Sequence, residues 1–306
     1  MKSEQSTYPL AATVSVSRIE VSKLPDYLLL TKPRLVSLVL LTTVIGFIVA
    51  SGPTVSFWGI LHILLGTALV AAGGASLNQF LERDTDARME RTASRPLAAA
   101  RISPRGAAFF GVLLIAGGLV YLYHLCNPLT ALLGLVSAAL YVLVYTPLKR
   151  RTPWCVAFGA IVGALPPIMG WTAASGALAW GAAAFFVIMF VWQLSHFLAI
   201  VVIYREQYAN ARSAIVRLAD ADGRRAAQHI LWLNLLLIPL TLLPSILGLA
   251  GTGYTVAAVI LGITFAAVAV RSSNTIMKSY ARRIFYASLV YLPVLFIIMA
   301  IFRRGI

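Results

Sequence analysis

Residues 57–92 read FWGILHILLGTALVAAGGASLNQFLERDTDARMERT, and this stretch contains the two features that decide the fold. Its first part, residues 57–78, is almost entirely apolar and has the length that a helix needs to cross the hydrocarbon core of a bilayer. The part that follows contains three arginines and four acidic residues, which are Glu82, Asp84, Asp86 and Glu90. The stretch therefore predicts a membrane helix that ends in a charged segment at one membrane face.

Apolar runs of similar length make up most of the chain. Of its 306 residues, 60% are hydrophobic and only 11% are charged, whereas about 25% are charged in an ordinary soluble domain. The alternating pattern of a membrane β-barrel is missing. These features predict an all-α, polytopic membrane helix bundle, embedded in the lipid bilayer, with about nine transmembrane helices. The predicted spans are residues 35–51, 57–78, 106–124, 127–146, 154–174, 178–200, 228–249, 253–271 and 284–302.

The positions of the basic residues predict the orientation of this bundle. Lys and Arg accumulate in cytoplasmic loops, and all 25 basic residues except Arg303 and Arg304 lie in the N-terminal segment or in alternate loops. We therefore expect a bacterial inner-membrane protein whose N-terminus and long loops are cytoplasmic. Because these charges are spread over five segments, we expect no nucleic acid partner.

The chain divides into two parts of very different polarity. Residues 1–34 lack the apolar core of a cleaved signal peptide, so we expect them to form a polar cytoplasmic N-terminal segment. Residues 35–306 then form one transmembrane domain. The two cysteines, Cys126 and Cys155, fall near opposite membrane faces, so we expect no disulfide.

The acidic segment after the second span has a regular spacing. Asn78, Glu82 and Asp86 stand at positions i, i+4 and i+8, which places their side chains along one face of a helix. Oxygen ligands of this kind suit Mg²⁺, which retains water or phosphate oxygens as further ligands. The spacing predicts a magnesium site that holds a diphosphate.

A solvated helix end is the alternative interpretation of the same residues. In that case the carboxylates would simply pair with neighbouring arginines. Two observations favour the metal site. Asn78 lies at the end of an apolar run, where a polar side chain is costly and indicates function. Arg91 and Arg95 follow closely and are suited to phosphate oxygens.

Four segments of the sequence resemble the UbiA superfamily of intramembrane prenyltransferases, and within it the protoheme IX farnesyltransferase (heme O synthase) subfamily. The Asn78-x3-Glu82-x3-Asp86 pattern resembles the first Asp-rich motif of the superfamily. The other three segments are DYLLLTKPR at residues 26–34, YTPLKRRT at residues 145–152 and WQLSHF at residues 192–197. The resemblance covers roughly residues 25–300 and implies a UbiA-type bundle.

The resemblance implies the transfer of farnesyl from farnesyl diphosphate to a vinyl group of protoheme IX (heme B). The products would be heme O and diphosphate, with Mg²⁺ as cofactor. A heme A synthase or a terminal oxidase assembly would be a downstream partner. The expected catalytic residues are Asn78, Glu82, Asp86, Arg91, Arg95 and Lys149, of which the first three hold the metal. The expected substrate contacts are Tyr145, Trp192, His196, Tyr204, Glu206 and Tyr208.

The sequence departs from the family pattern at two positions of the expected site. Glu82 stands where many relatives have Asp, and Gln207 stands where an Asp precedes the second tyrosine of the loop. Gln207 removes a carboxylate from an expected second metal site, and Glu206 is the residue that would replace it. For His196 two roles are open, which are ligation of heme iron and a hydrogen bond within the bundle.

Two other functions compete with this interpretation. The first is a UbiA-type prenyltransferase that acts on a quinone precursor or a different tetrapyrrole. The second, of a different class, is a transporter of an anionic ligand. A transporter would need polar residues along its path, but the outer halves of the predicted spans carry no charge.

Overall fold

The computed structural model describes residues 23–220, 223–271 and 277–304. Most of the predicted N-terminal segment, residues 1–22, lies outside the described residues. Helices account for nearly all of the rest: α1 Leu24–Leu30, α2 Pro33–Ala50, α3 Phe57–Asp86, α4 Glu90–Ala93, α5 Pro104–Leu125, α6 Pro128–Ala139, α7 Thr146–Leu148, α8 Cys155–Ser175, α9 Trp180–Ile203, α10 Arg205–Asn210, α11 Arg224–Leu240, α12 Leu243–Ile246, α13 Thr252–Arg271 and α14 Met277–Ile301. A π-helical segment, Leu140–Tyr145, joins α6 to α7, and a 3-10 helix spans Ala214–Leu218.

Nine helical segments in the described part of the chain are long and apolar enough to cross a membrane. They coincide with the nine predicted spans, so the predicted all-α membrane bundle is confirmed. The main difference is the second span, which we expected to end at residue 78. Helix α3 continues to Asp86, because backbone hydrogen bonding can continue after the apolar run ends. This extension keeps Asn78, Glu82 and Asp86 on one helix.

Glycines allow the backbones of α2 and α8 to contact each other. A Cβ atom on Gly46 of α2 would stand 2.0 Å from the carbonyl oxygen of Pro167, and one on Gly170 of α8 would stand 1.9 Å from that of Thr43. Small residues at such contacts are the usual means by which membrane helices pack tightly. Helix α8 is accordingly the most buried of the nine spans.

Polar contacts join α9 to its neighbours inside the bundle. The Trp192 indole donates to the Ser288 carbonyl of α14 at 3.0 Å, and His196 Nδ1 lies 2.8 Å from the Ser288 hydroxyl. The Ser195 hydroxyl donates to Asn234 of α11 at 2.7 Å. Hydrogen bonds of this type stabilise helix pairs in lipid, where water is not available as a partner. They fix the position of α9 beside the site described below.

The fourth span changes from α-helix to π-helix over Leu140–Tyr145. The Thr146 hydroxyl donates to the Tyr141 carbonyl at 2.8 Å within this wider turn. π-Helical turns occur mostly as short insertions at functional sites. Here the turn brings Tyr141, Tyr145 and Lys149 beside the end of α3.

The contact between α2 and α8 gives a stability prediction. We expect Gly46→Ala to lower the free energy of unfolding by about 1–3 kcal/mol, because the new methyl group overlaps the Pro167 carbonyl. Thermal unfolding of the purified protein in detergent measures the change. Gly117→Ala is the matched control, since a Cβ at Gly117 has no neighbour within 4 Å. Equal stability of the two variants would contradict the assignment of Gly46 to a backbone contact.

Candidate active site

A polar cavity of about 220 Å³ lies at the end of α3. Two carboxylates, Glu82 and Asp86, line it together with the Asn78 amide. Basic side chains outnumber the carboxylates around the cavity; they are Lys32, Arg91, Arg95, Lys149 and Arg150. All six residues predicted as catalytic lie in this wall, and so do two of the predicted substrate contacts, Tyr145 and Tyr208. The roles of these residues remain predictions.

Asn78 lies at the centre of a hydrogen-bonded group. Its side-chain nitrogen donates to Glu82 Oε2 and to the Thr146 hydroxyl, each at 3.0 Å. Its Oδ1 accepts from the Lys32 amine at 2.6 Å. Asn78 is only 1% exposed, so these contacts satisfy a polar group that cannot reach water. They also connect α3 to the π-helical turn.

Each carboxylate of the cavity is paired with a cation from a different part of the chain. The Lys149 amine lies 2.8 Å from Glu82 Oε1, and Arg95 lies 2.7 Å from Asp86 Oδ2. Burial alone would lower the pKa of Lys149, but the Glu82 carboxylate outweighs burial and holds that pKa well above its ordinary value. Lys149 is therefore charged, and its amine also lies 4.5 Å from the centre of the Tyr145 ring.

Lys32 belongs to the cavity, although we assigned it no site role from the sequence. It lies between α1 and α2 with left-handed backbone angles (φ 50°, ψ 61°), and its amine reaches Asn78. Burial and the nearby Arg95 guanidinium lower the pKa of Lys32 to about 7. In the sequence, Lys32 was only one of the basic residues that predict the orientation of the bundle in the membrane. The one signal for it was its place in the family-like segment at residues 26–34.

Arg91 connects the charged segment after α3 to the loop after α9. Its guanidinium lies 4.6 Å from the centre of the Tyr204 ring and donates to the Tyr208 hydroxyl at 3.5 Å. The loop after α3 therefore contacts the loop after α9. Of these two tyrosines, only Tyr208 lines the polar cavity, whereas Tyr204 lines a neighbouring one.

The other four predicted substrate contacts lie outside the polar cavity; they are Trp192, His196, Tyr204 and Glu206. Trp192 and His196 stack on each other with ring centres 4.9 Å apart, and both contact Ser288. The contact of His196 agrees with the second of its two expected roles, a hydrogen bond within the bundle. Its role as a heme-iron ligand stays a prediction. Glu206 is exposed and lines the same neighbouring cavity as Tyr204.

An apolar cavity of about 150 Å³ lies next to the polar one, inside the bundle. The two cavities share three wall residues, Leu35, Tyr141 and Tyr145. One face of α3 lines both of them, with Asn78, Glu82 and Asp86 in the polar cavity and Thr67, Val70, Ala71 and Gly74 in the apolar one. The site therefore combines a polar cavity with an adjoining apolar cavity inside the bundle.

The donor groups of the polar cavity fit a magnesium ion. Asn78, Glu82 and Asp86 offer one amide oxygen and two carboxylates on one helix face, all buried. No group of three or more His, Cys, Asp or Glu side chains in the described residues could hold a metal by itself. Mg²⁺ typically binds one or two carboxylates and takes its other ligands from water and substrate phosphates. These residues suit a metal that binds together with a diphosphate.

Comparison with known proteins agrees with this geometry. The model of the UbiA prenyltransferase family matches residues 39–302. The chain belongs to this family. It is 40% identical to a protoheme IX farnesyltransferase of Koribacter versatilis, over 92% of this chain and 94% of the relative. It is 42% identical to the enzyme of the same name from Anaeromyxobacter dehalogenans, with the same two coverages.

Solved structures of UbiA family members have the same fold. The chain superimposes on a digeranylgeranylglyceryl phosphate synthase with a TM-score of 0.75, over 92% of this chain and 98% of that one, at 17% sequence identity. It also matches a UbiA homologue from Archaeoglobus fulgidus bound to DMAPP and Mg²⁺, with a TM-score of 0.67 and 18% identity. That match covers 90% of this chain and 99% of the homologue. The predicted UbiA-type bundle is confirmed.

The position of Lys32 gives the second prediction. We expect Lys32→Ala to slow prenyl transfer by about tenfold or more, because the cavity loses the amine that contacts Asn78 and that a bound diphosphate would keep charged. Lys32→Gly should lose the same activity but retain or gain thermal stability, since glycine adopts the left-handed backbone without cost. Arg34→Ala is the control, because Arg34 is exposed and does not line the cavity. Full activity of Lys32→Gly would show that the amine is dispensable.

Proposed function

We propose that this protein transfers a farnesyl group from farnesyl diphosphate to a vinyl group of heme B, which gives heme O and releases diphosphate. One observation carries the proposal: a cation-rich polar cavity adjoins an apolar cavity, and the two share Leu35, Tyr141 and Tyr145 as wall residues. A prenyl diphosphate has the same two parts, a charged head and an apolar tail.

The polar cavity is suited to the diphosphate head. Five basic side chains surround it and only two carboxylates, so its net charge favours an anion with several negative charges. Lys149 and Arg95 lie next to the carboxylates, where they would also reach phosphate oxygens. Mg²⁺ bound at Asn78, Glu82 and Asp86 would neutralise charge on the departing diphosphate.

The apolar cavity is suited to the prenyl tail. Its deepest α3 residue, Thr67, is eleven positions from Asn78, which corresponds to about 16 Å along a helix. Val70, Ala71 and Gly74 lie between them on the same face. An extended chain of several isoprene units can lie along such a face, away from water. The length of the apolar cavity would then determine the chain length of the prenyl diphosphate that the protein accepts as donor.

The residues at the junction act where the carbon–oxygen bond breaks. Departure of diphosphate from the allylic carbon puts negative charge on its oxygens and positive charge on the carbon. Lys149, Arg91 and Arg95 stabilise the oxygens, and the faces of Tyr141 and Tyr145 stabilise the carbon. The apolar wall excludes water, so the acceptor vinyl group rather than water attacks. Formation of the new carbon–carbon bond leaves a positive charge on the inner carbon of the former vinyl group, next to the macrocycle. A water molecule then adds to that carbon and loses a proton, which gives the hydroxyl group of heme O, so the reaction consumes heme B, farnesyl diphosphate and one water.

The identity of the acceptor rests on sequence similarity. The relatives at about 40% identity over nine-tenths of the chain carry the name protoheme IX farnesyltransferase. This similarity favours heme B over a quinone precursor or another tetrapyrrole. A one-ended polar cavity also favours an enzyme over a transporter, whose polar path would have to cross the bundle.

We further propose that the active site faces the cytoplasm of a bacterial inner membrane. The positive-inside rule supports this orientation, because the cavity is built from the loops that carry the basic residues. The opposite face has the short connections around residues 51–56 and 250–253. A heme A synthase or an oxidase assembly remains the predicted downstream partner.

The third prediction tests the reaction itself. Purified protein with heme B, farnesyl diphosphate and Mg²⁺ should form heme O, detected by mass spectrometry. Asp86→Asn should reduce the rate by about 100-fold, because Asp86 is a buried ligand of the proposed metal site. Asp84→Asn, two residues away, should keep the wild-type rate, since Asp84 is largely exposed and lies outside the cavity.

Two results would overturn this proposal. The first is wild-type protein that consumes farnesyl diphosphate but leaves heme B unmodified, which would point to another acceptor. The second is an equal rate for Asp86→Asn and Asp84→Asn, which would place the reaction elsewhere. Circular dichroism of both variants checks that each one is folded.

The fourth prediction tests the path of the prenyl tail. Thr67→Phe should shorten the apolar cavity and lower kcat/KM for farnesyl diphosphate at least tenfold more than for geranyl diphosphate. The control is Leu65→Phe, which adds the same ring to the exposed side of α3 and should leave the ratio unchanged. If Thr67→Phe lowers kcat/KM equally for both donors, the tail does not reach Thr67.

A further inference from the structure

A second polar cavity, of about 450 Å³, lies beside the active site and has no role in the steps described above. It is formed by the end of α9, the start of α10 and the first turns of α14. Its walls include Tyr204, Gln207, Phe285 and Tyr286. A cavity of this size next to an active site, with aromatic walls, requires an explanation.

Two cations give this cavity its charge. Lys278 and Arg282 stand one helical turn apart on α14, and both line the cavity. Both are exposed, and the described residues provide neither with an ion pair or a hydrogen bond. Glu206 is the carboxylate that shares the cavity with them. Gln207 adds a buried side-chain oxygen without a hydrogen-bond partner.

One aromatic side chain separates this cavity from the active site. Tyr204 lines the second cavity, and the guanidinium of Arg91, which lines the polar cavity, stacks on the Tyr204 ring at 4.6 Å. A ligand bound in the second cavity therefore lies one ring away from the diphosphate site.

We propose that the second cavity binds the carboxylate edge of the prenyl acceptor, with Lys278 and Arg282 paired to its two carboxylates. This inference rests on the proposed function, in which the acceptor is heme B. Heme B is a flat aromatic macrocycle with two propionates at one edge and two vinyl groups at the opposite edge. The aromatic walls match its faces, and the two cations match its two propionates.

The rigid shape of the macrocycle explains why an anchor outside the active site is useful. Propionates held by Lys278 and Arg282 direct the vinyl edge away from α14, toward Tyr204 and Arg91. The vinyl carbon then approaches the polar cavity at Arg91 and Tyr204, neither of which lines the apolar cavity proposed for the prenyl tail. The acceptor and the prenyl donor thus enter from different sides, so neither blocks the other.

The competing ligand for the same cations is the headgroup of an anionic phospholipid, which would also pair with exposed basic side chains at a membrane surface. The two ligands differ in what they require. Heme needs its free propionates and the aromatic walls, whereas a lipid headgroup needs only the positive charges. Esterified heme separates the two cases, because its propionates carry no charge.

The experiment measures heme binding directly, without turnover. Wild-type protein, Lys278→Ala, Arg282→Ala and the double variant are titrated in neutral detergent with heme B and with its dimethyl ester, and the Soret absorbance is followed. We expect about threefold weaker binding of heme B for each single variant and about tenfold for the double variant. Binding of the dimethyl ester should stay unchanged. Arg283→Ala, next to Arg282 but outside the cavity, is the matched control.

A second set of measurements tests whether Glu206 is only a negative charge at the edge of the second cavity or a ligand of a second metal ion. Glu206→Gln should tighten heme B binding by about twofold or more, because it removes a negative charge beside the propionates. The KM for farnesyl diphosphate should not change in this variant or in Lys278→Ala. A rise in that KM on Glu206→Gln would support the second metal site instead.

Several outcomes would overturn the inference, and they differ from failure of the proposed function. Equal loss of heme B and dimethyl ester binding in the double variant would show a structural effect of the two residues. Unchanged heme affinity, with loss of co-purified anionic phospholipid, would assign the cavity to lipid. If wild-type protein neither binds nor farnesylates heme B, the proposed function itself fails. If it farnesylates heme B but the variants bind normally, only the acceptor site is wrong.

Discussion

Two carboxylates buried at the end of a membrane-spanning helix impose the constraint on which the active site depends. Glu82 and Asp86 are 9% and 2% exposed, and buried charges are stable only when opposite charges balance them. Helix α3 supplies no such cation at these positions. Lys149 therefore comes from the end of the fourth span and Arg95 from the loop after α4. Lys32 adds a third cation, through Asn78, from the turn before α2. The need for charge balance thus brings four segments of the chain together at one helix end.

The same charge balance prepares the cavity for its ligand. The cations that stabilise Glu82 and Asp86 are also the groups that a diphosphate requires, so the cavity needs no large rearrangement to bind an anion. A divalent cation at the two carboxylates would replace Lys149 and Arg95 as their counter-charge and leave both side chains for phosphate oxygens. The π-helical turn contributes to this arrangement, because Thr146 fixes the Asn78 amide while Tyr141 and Tyr145 form the junction with the apolar cavity.

Most of the fold could be predicted from the sequence, because lipid imposes a simple rule on helix length and polarity. The Asn78–Glu82–Asp86 face could also be predicted, since it depends only on the spacing within one helix. The side chains that contact Asn78, Glu82 and Asp86 could not be predicted from spacing in this way. Lys32 lies 46 residues before Asn78, and its approach depends on a left-handed turn and on the packing of α2 against α3. The separation of Tyr208 from Glu206 could not be predicted either, because these residues, two positions apart on a short helix, face different cavities.

The basic residues show why charge counts alone hide a site of this kind. In the sequence, membrane orientation is a sufficient explanation for the loop cations, and nothing distinguishes one of these cations from another. In three dimensions they divide into groups with different surroundings. Lys32, Arg95 and Lys149 contact buried polar groups of α3, so moving them costs stability as well as anion affinity. Lys278 and Arg282 line an aromatic cavity without a partner in the described residues. A cation with no internal partner adds no ion pair to the fold, so its exact position on the helix can be selected by a ligand.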